Sequence, residues 1–381
     1  MDAYITKLDG AVAVDDTILT TGCPTTAGSR MLENFTSLFE ATAVTKMKAA
    51  GYTLAGKTAV GEFGLDTLGE TCFFDAPLGA AAKIVSEGEV MAALNVDLNG
   101  APRRAAALYG VTFIKPTYGT VSRVGVVPCA CSGEQIGVTA KSAKEAASLL
   151  AAIAGHDPGD GTSFSAGKYE YALDIPLAGK RVGIIRELMT GENTGKVETM
   201  AAKLRALGAE VTDISLPEVS LAKTAWQVLL AAETCNNLSR YDGVKFGYRT
   251  EEYKNIEELY VGSRSESMGL LAKAVILYGS DVLSKGRYDD CYDRALRARR
   301  RVREALAGAF GEADILLSPA CLKAAYTKEE LKPLLSVYEE SVYTAFASVT
   351  GVPAVISGGV QMVSDTLNDA LLLSAAAQTE V

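Results

Sequence analysis

The chain has 381 residues, 48% of them hydrophobic and 22% charged, with a net charge of −9. That composition supports a large buried core and excludes disorder as the main state, while the acidic balance argues against gripping nucleic acid by bulk electrostatics. With His156 as its single histidine, any site built on several imidazoles is excluded, and a Ser-His-Asp arrangement has one residue to draw on. The 7 cysteines are odd in number and never spaced as CxxC, which indicates neither a disulfide framework nor a zinc ribbon. A reducing cytoplasm is therefore the expected setting, with no metal or other cofactor. The N-terminal MDAYITKLDGAVAV lacks the basic and apolar segments of a signal peptide, and no run reaches the roughly 18–20 apolar residues of a membrane span. A soluble, unprocessed protein is expected.

In chain order, residues 12–14 read as a strand, 41–50 as a helix ended by Gly51, 53–55 as a strand, 80–87 as a helix stopped by Gly88, and 91–96 as a strand. Pro116 and Gly119 turn the chain toward a loop over 124–137, after which Ser142 and Glu145 form the capping box of a helix over 142–154. A β-α-β unit follows at 181–186, about 197–207 and 210–214, with Gly208 as the helix stop. Residues 221–310 are mostly helical, and 315–317 add a strand before Pro319. Short apolar runs alternating with Ala-rich helices predict an α/β fold with a buried sheet. No internal repeat or Ser/Gly/Pro linker divides the chain, so a single domain over 1–381 is expected, with a mainly helical lobe at about 190–310.

Several segments match one family together. FIKPTYGTVSRVGVVP (113–128), SGEQIG (132–137) and AIAGHDPGDGTS (152–163) resemble the amidase signature family. RYDGVKFGYR (240–249), NIEELY (255–260) and TTGCPTTAGSRMLENF (20–35) are similar to one branch of it, the A subunits of the glutamyl-tRNA(Gln)/aspartyl-tRNA(Asn) amidotransferases. The resemblance implies a mixed central sheet covered by helices on both faces. It also implies amide cleavage by a nucleophilic Ser, a bridging Ser and a neutral Lys, with backbone N–H groups holding the oxyanion. In that branch the amide is glutamine's, and the ammonia passes to a partner subunit.

At the matching positions the residues differ. AVAVDDTI puts Asp15 at the Lys position, DAPLGAA puts Pro77 at the bridging Ser, and DLNGAPRRA puts Ala101 at the nucleophile. No Ser lies between Ser37 and Ser86 or between Ser86 and Ser122, so a shifted register recovers no hydroxyl. Where the resemblance implies two charged anchors for glutamine, the chain has Val275 (or Ala274) and Ser341. The implied cleft comprises Asp97, Leu98, Asn99, Gly100, Cys129, Cys131, Val275 and Ser341. These substitutions lead to the expectation of a non-catalytic pseudoenzyme serving as a partner or ligand-binding subunit. The alternative is an active amidase or glutamine amidotransferase subunit using displaced residues such as Cys131 or Asp15. Shortened N-terminal helices suggest uncovered apolar surface, hence a homodimer or a heteromeric complex with an amidase or amidotransferase subunit.

The remaining signals favour plain readings. His156 in GHDPGD and Lys115 in KPTYG read as turn residues, and Cys129 and Cys131 as buried thiols rather than replacement nucleophiles. The basic run 294–303 is flanked by Asp289, Asp290, Asp293 and Glu304 at helical spacings, which favours salt bridges on a solvated face over direct nucleic-acid binding. GENTGKV (191–197) superficially resembles a phosphate loop, but its glycines are too close and Val197 stands where a Ser or Thr would hold the metal.

Overall fold

The computed structural model describes residues 2–165 and 169–380. Among them, one mixed sheet is built from β1 (Tyr4–Lys7), β2 (Val12–Asp15), β3 (Leu54–Thr58), β4 (Ala92–Asp97), β5 (Thr112–Lys115), β6 (Gln135–Ala140), β7 (Arg181–Ile185), β8 (Glu210–Ile214), β9 (Ile315–Pro319), β10 (Ala354–Ser357) and β11 (Val360–Val363). Its strand order is β1-β3-β2-β4-β6-β5-β10-β11-β9-β7-β8. β2 runs parallel to β3 and β4, and β7 to β8 and β9, while β6, β5, β10 and β11 form an antiparallel centre between these two parallel groups and β1 adds an antiparallel edge strand beside β3.

The helices are α1 (Thr42–Ala49), α2 (Ala80–Glu87), α3 (Ala101–Tyr109), α4 (Ala143–Ile153), α5 (Thr194–Ala206), α6 (Glu218–Leu238), α7 (Ile256–Ser267), α8 (Leu270–Val282), α9 (Arg294–Glu312), α10 (Lys328–Leu331), α11 (Leu334–Glu340), α12 (Ala345–Thr350) and α13 (Asp369–Thr379). Successive strand residues point to opposite faces, so the sheet needs cover on both. Val12, Val14, Leu94, Ile136 and Val138 bury one face beneath α1, α4 and α13, whereas Ala13, Ala93, Phe113 and Ile356 bury the other beneath α2 and α3. This is the α/β layering expected from sequence. A third apolar cluster lies among α6, α8, α9 and α12, with Trp226 buried within it.

Local signals set many element ends as expected. Ser142 and Glu145 form the capping box of α4, and Gly88 ends α2 with a left-handed φ of 79°. The expected loop over 124–137 is cut short by β6, which pairs from Ala92↔Ala140 to Asp97↔Gln135 along the whole of β4 and also pairs with β5. Lys115 is not a turn residue. It ends β5, fully buried, and burial together with the neighbouring Arg103 lowers its ammonium to about 7. The basic run on α9 is a solvated face as anticipated, with Arg294–Asp290 at 3.1 Å and Arg300–Glu304 at 2.8 Å.

Candidate active site

β2 delivers Asp15 to the face that Ala13 shares with α2 and α3. The Asp15 carboxylate is fixed from three sides. Oδ1 accepts from Asn95 Nδ2 at 2.7 Å and from Thr58 Oγ1 at 3.1 Å, and Oδ2 accepts from the Val96 N–H at 2.9 Å. Thr139 Oγ1 donates to Asn95 Oδ1 at 2.6 Å, which orients that amide so that its NH2 faces Asp15. Burial outweighs these bonds and raises Asp15 to about 7, with Lys57 opposing as a nearby positive charge.

A narrow cleft opens beside this carboxylate and is lined by Asp15, Thr17, Asp66, Leu98, Ala101 and Glu134 among others. Glu134 approaches from the loop before β6. Its Oε1 accepts from the Cys129 and Ala130 N–H groups, Oε2 takes no hydrogen bond among the described residues, and burial raises the carboxyl to about 7. Asp66 is held by the Gly69 N–H at 3.0 Å and by the Thr71 N–H and hydroxyl, both at 2.8 Å, and burial likewise raises it. Ala80, Ala81 and Ala82 of the first turn of α2 line the cleft, and no side chain caps that helix. Its leading N–H groups are donors of the kind that stabilise negative charge.

The segment 97–101 divides its work. Leu98 and Ala101 face the cleft. Asp97 turns inward to pair with Arg103 through Nε at 2.7 Å and Nη2 at 3.0 Å, and it caps the Gly100 N–H at 3.1 Å. Gly100 has φ +88°, and a Cβ there would stand 2.5 Å from the Thr344 side chain, so glycine is required on both counts. Asn99 Oδ1 accepts from Trp226 Nε1 at 3.1 Å and from Gln227 Nε2 at 3.3 Å, tying the segment to α6. The same indole bars the Gly133 position, where a Cβ would lie 2.0 Å from the ring. Trp226 therefore touches both loops that shape the cleft.

Other sequence candidates lie elsewhere. Pro77 is half-buried just ahead of the cleft-lining Gly79, and Cys129 is buried with its thiol 3.3 Å from the Thr234 hydroxyl. Cys131 lines an adjoining cleft with Arg123, Asp160 and Glu134, the last shared with the cleft beside Asp15, and burial and the Glu134 charge push its thiol up. A reactive thiol requires the opposite shift. Val275 is half-buried against the helical cluster, and the buried Ser341 donates to the Tyr338 carbonyl at 2.7 Å. His156 is exposed in its turn, with Nδ1 2.8 Å from the Phe164 carbonyl. Sequence reasoning missed Thr17, Asp66 and Glu134. It also missed Lys57, which is fully buried on β3, bonded to the Ile18 carbonyl and to Thr25 Oγ1 at 2.9 Å, and paired with Asp16 at 3.6 Å. A lone lysine inside the otherwise uncharged LAGKTAV run was the one available hint. Among the described residues no cluster of His, Cys, Asp and Glu is arranged to hold a metal ion.

The amidase family model matches residues 6–77 and 79–373. The chain belongs to the amidase family. It is 37% identical to the A subunit of the glutamyl-tRNA(Gln) amidotransferase of Chromohalobacter salexigens over 363 residues, covering 90% of this chain and 75% of that protein. The corresponding protein of Marinobacter nauticus is 36% identical, with 95% and 82% covered. The crystal structure of the same amidotransferase component from Thermotoga maritima superposes with a TM-score of 0.82 at 28% identity, over 98% of this chain and 86% of that one. These similarities correct the expectation of a non-catalytic pseudoenzyme. Relatives matched along nearly the whole chain bear the name of an amidotransferase component, and the active alternative fits them better. Counting hydroxyls at three positions had left Asp15 to the alternative reading and passed over the buried carboxyls of Asp66 and Glu134.

Proposed function

We propose that the chain cleaves carbon–nitrogen amide bonds as an amidase of the amidotransferase type, with Asp15 as the base that activates water and Glu134 as the acid at the leaving nitrogen. The observation that carries this reading is the placement of two carboxyls, each raised to about 7, on one cleft of an amidase-family fold. A general base or acid works best when its pKa lies near the working pH. Ionised Asp15 removes a proton from water as the oxygen bonds to the amide carbon. The carbonyl electron pair moves onto oxygen, where the N–H groups at the start of α2 stabilise it. Protonated Glu134 then gives its proton to nitrogen, the C–N bond breaks, and ammonia and a carboxylic acid leave. Ala101 and Pro77 offer no nucleophile, so no acyl-enzyme forms in this scheme.

The relatives are named as one component of a larger enzyme, which supports a heteromeric assembly for this chain as well. No helix among the described residues is long and apolar enough to cross a membrane. The test is ammonia release from a panel of primary amides by the purified chain, alone and with any co-purifying protein. Turnover above the buffer blank is expected for at least one amide, and a blank result across the panel would overturn the proposal.

A further inference from the structure

We infer that Asn95 and Thr58 are positioning residues that close one oxygen of the Asp15 carboxylate and leave the other to take the proton from water. This rests on the amide-cleaving reading above and goes beyond it by saying where on Asp15 the proton lands. A carboxylate offers about four acceptor sites, two on each oxygen. Both sites on Oδ1 are filled, by Asn95 Nδ2 at 2.7 Å and by Thr58 Oγ1 at 3.1 Å. Among the described residues Oδ2 accepts only from the Val96 N–H, at 2.9 Å. The open site is therefore on Oδ2, on a side chain that lines the cleft.

The two donors to Oδ1 come from the strands on either side of β2. Thr58 is fully buried and sits opposite Asp15 in the β2–β3 ladder, while Asn95, 3% exposed, lies on β4 one residue past the Val14↔Leu94 pair. Reversed end for end, the Asn95 amide would set its oxygen against the ionised carboxylate. The bond from Thr139 Oγ1 on β6 to Asn95 Oδ1, at 2.6 Å, holds it the other way round.

All three donors to Asp15 are uncharged. A cation in contact would hold the carboxylate ionised and weaken it as a base. Lys57 of β3 bears on Asp15 only as a nearby charge, because its ammonium is engaged by Asp16 at 3.6 Å, by Thr25 Oγ1 at 2.9 Å and by the Ile18 carbonyl. The other ionisable groups on the cleft are Asp66 and Glu134. Neutral donors thus fix the direction of the carboxylate and leave its basicity to burial.

The experiment follows Asp15 by infrared difference spectroscopy, its carboxyl band assigned by its loss in Asp15→Asn, from about pH 5 to 9. Ammonia release from glutamine and butyramide is measured over the same range, in the whole chain and in its Asn95→Leu, Thr58→Val and Thr58→Ser variants. Asn95→Leu and Thr58→Val keep the side-chain shape, and each removes one donor to the ionised form. Asp15 should then titrate about one pH unit higher, and the rate on the acidic limb should fall about tenfold. With the proton on Oδ2 the carbonyl oxygen is Oδ1, so the C=O stretch of the protonated acid should rise as Oδ1 loses a donor. Thr58→Ser keeps the hydroxyl and should titrate with the parent, whereas lost packing alone would lower the melting midpoint without moving the titration. An unmoved titration in the folded Leu and Val variants, or a Thr58→Ser shift equal to that of Thr58→Val, would overturn the positioning role. An unmoved C=O stretch would place the proton on Oδ1 instead. Absence of ammonia from the parent chain would count against the amidase reading, and the infrared titration would still decide whether these two donors govern Asp15.

Discussion

Asp15→Asn is expected to lower kcat/KM for amide cleavage by roughly 10²- to 10⁴-fold, the usual contribution of a positioned general base. The substitution keeps the shape of the side chain and removes its ability to take a proton. One of the three donors around it, from Asn95, Thr58 and Val96, will then face an NH2 group instead of an oxygen. In the parent protein the rate should rise as Asp15 ionises and fall as Glu134 loses its proton, both near pH 7. The profile is therefore a narrow bell centred close to neutrality, and Asp15→Asn should erase its acidic limb. Steady-state kinetics from pH 5 to 9 reads both effects. An unchanged rate in the variant would remove Asp15 from the chemistry.

Stability should fall as pH is raised from about 5 to 7.5. Burial raises Asp15 from 3.8 to about 7, Glu134 from 4.5 to about 7 and, with the Asp66 charge adding to it, Glu70 from 4.5 to about 8. Across that window the folded chain holds protons that the unfolded chain has released, so unfolding becomes easier with every step toward neutrality. Each group is worth about 3–5 kcal/mol if its whole shift counts. Carboxyls that work the other way do not interfere. Asp157, held below its ordinary value first by the Ser122 hydroxyl, gives up its stabilisation only at lower pH. Above neutrality Lys115 reverses the trend. Its pKa falls from 10.5 to about 7, so the unfolded chain binds the extra proton, and stability recovers as pH rises toward 9. Thermal melts should therefore show a minimum near pH 7.5, with higher midpoints at pH 5.5 and at pH 9. A midpoint that peaks at neutrality would mean that these groups are not buried as described.

How much of this was legible in the sequence depended on distance along the chain. The stop of α2 at Gly88, the capping box of α4 and the β7-α5-β8 unit were all visible because their signals lie within a few residues. The antiparallel centre was not. β10 and β11 pair with β5 and β9, strands far away in sequence, and a four-residue apolar run carries no sign of that. Arg103 and Arg104 are both buried on α3, because Thr344, Ser348 and Gln361 converge on them from the other end of the chain, which nothing near them in sequence signals. The site divides in the same way. Asp15, Leu98 and Ala101 were reached through the resemblance of their segments to the family, whereas Glu134 and Thr17 join them only through the way the loops close over the sheet.

Trp226 is the chain's 1 tryptophan, and it is buried where the 97–101 segment meets the loop that carries Glu134. The protein thus contains a built-in optical reporter on its own cleft. All of its indole emission originates at that junction, in an apolar setting with one hydrogen bond to Asn99, so the colour of its fluorescence tracks how tightly the two loops are closed.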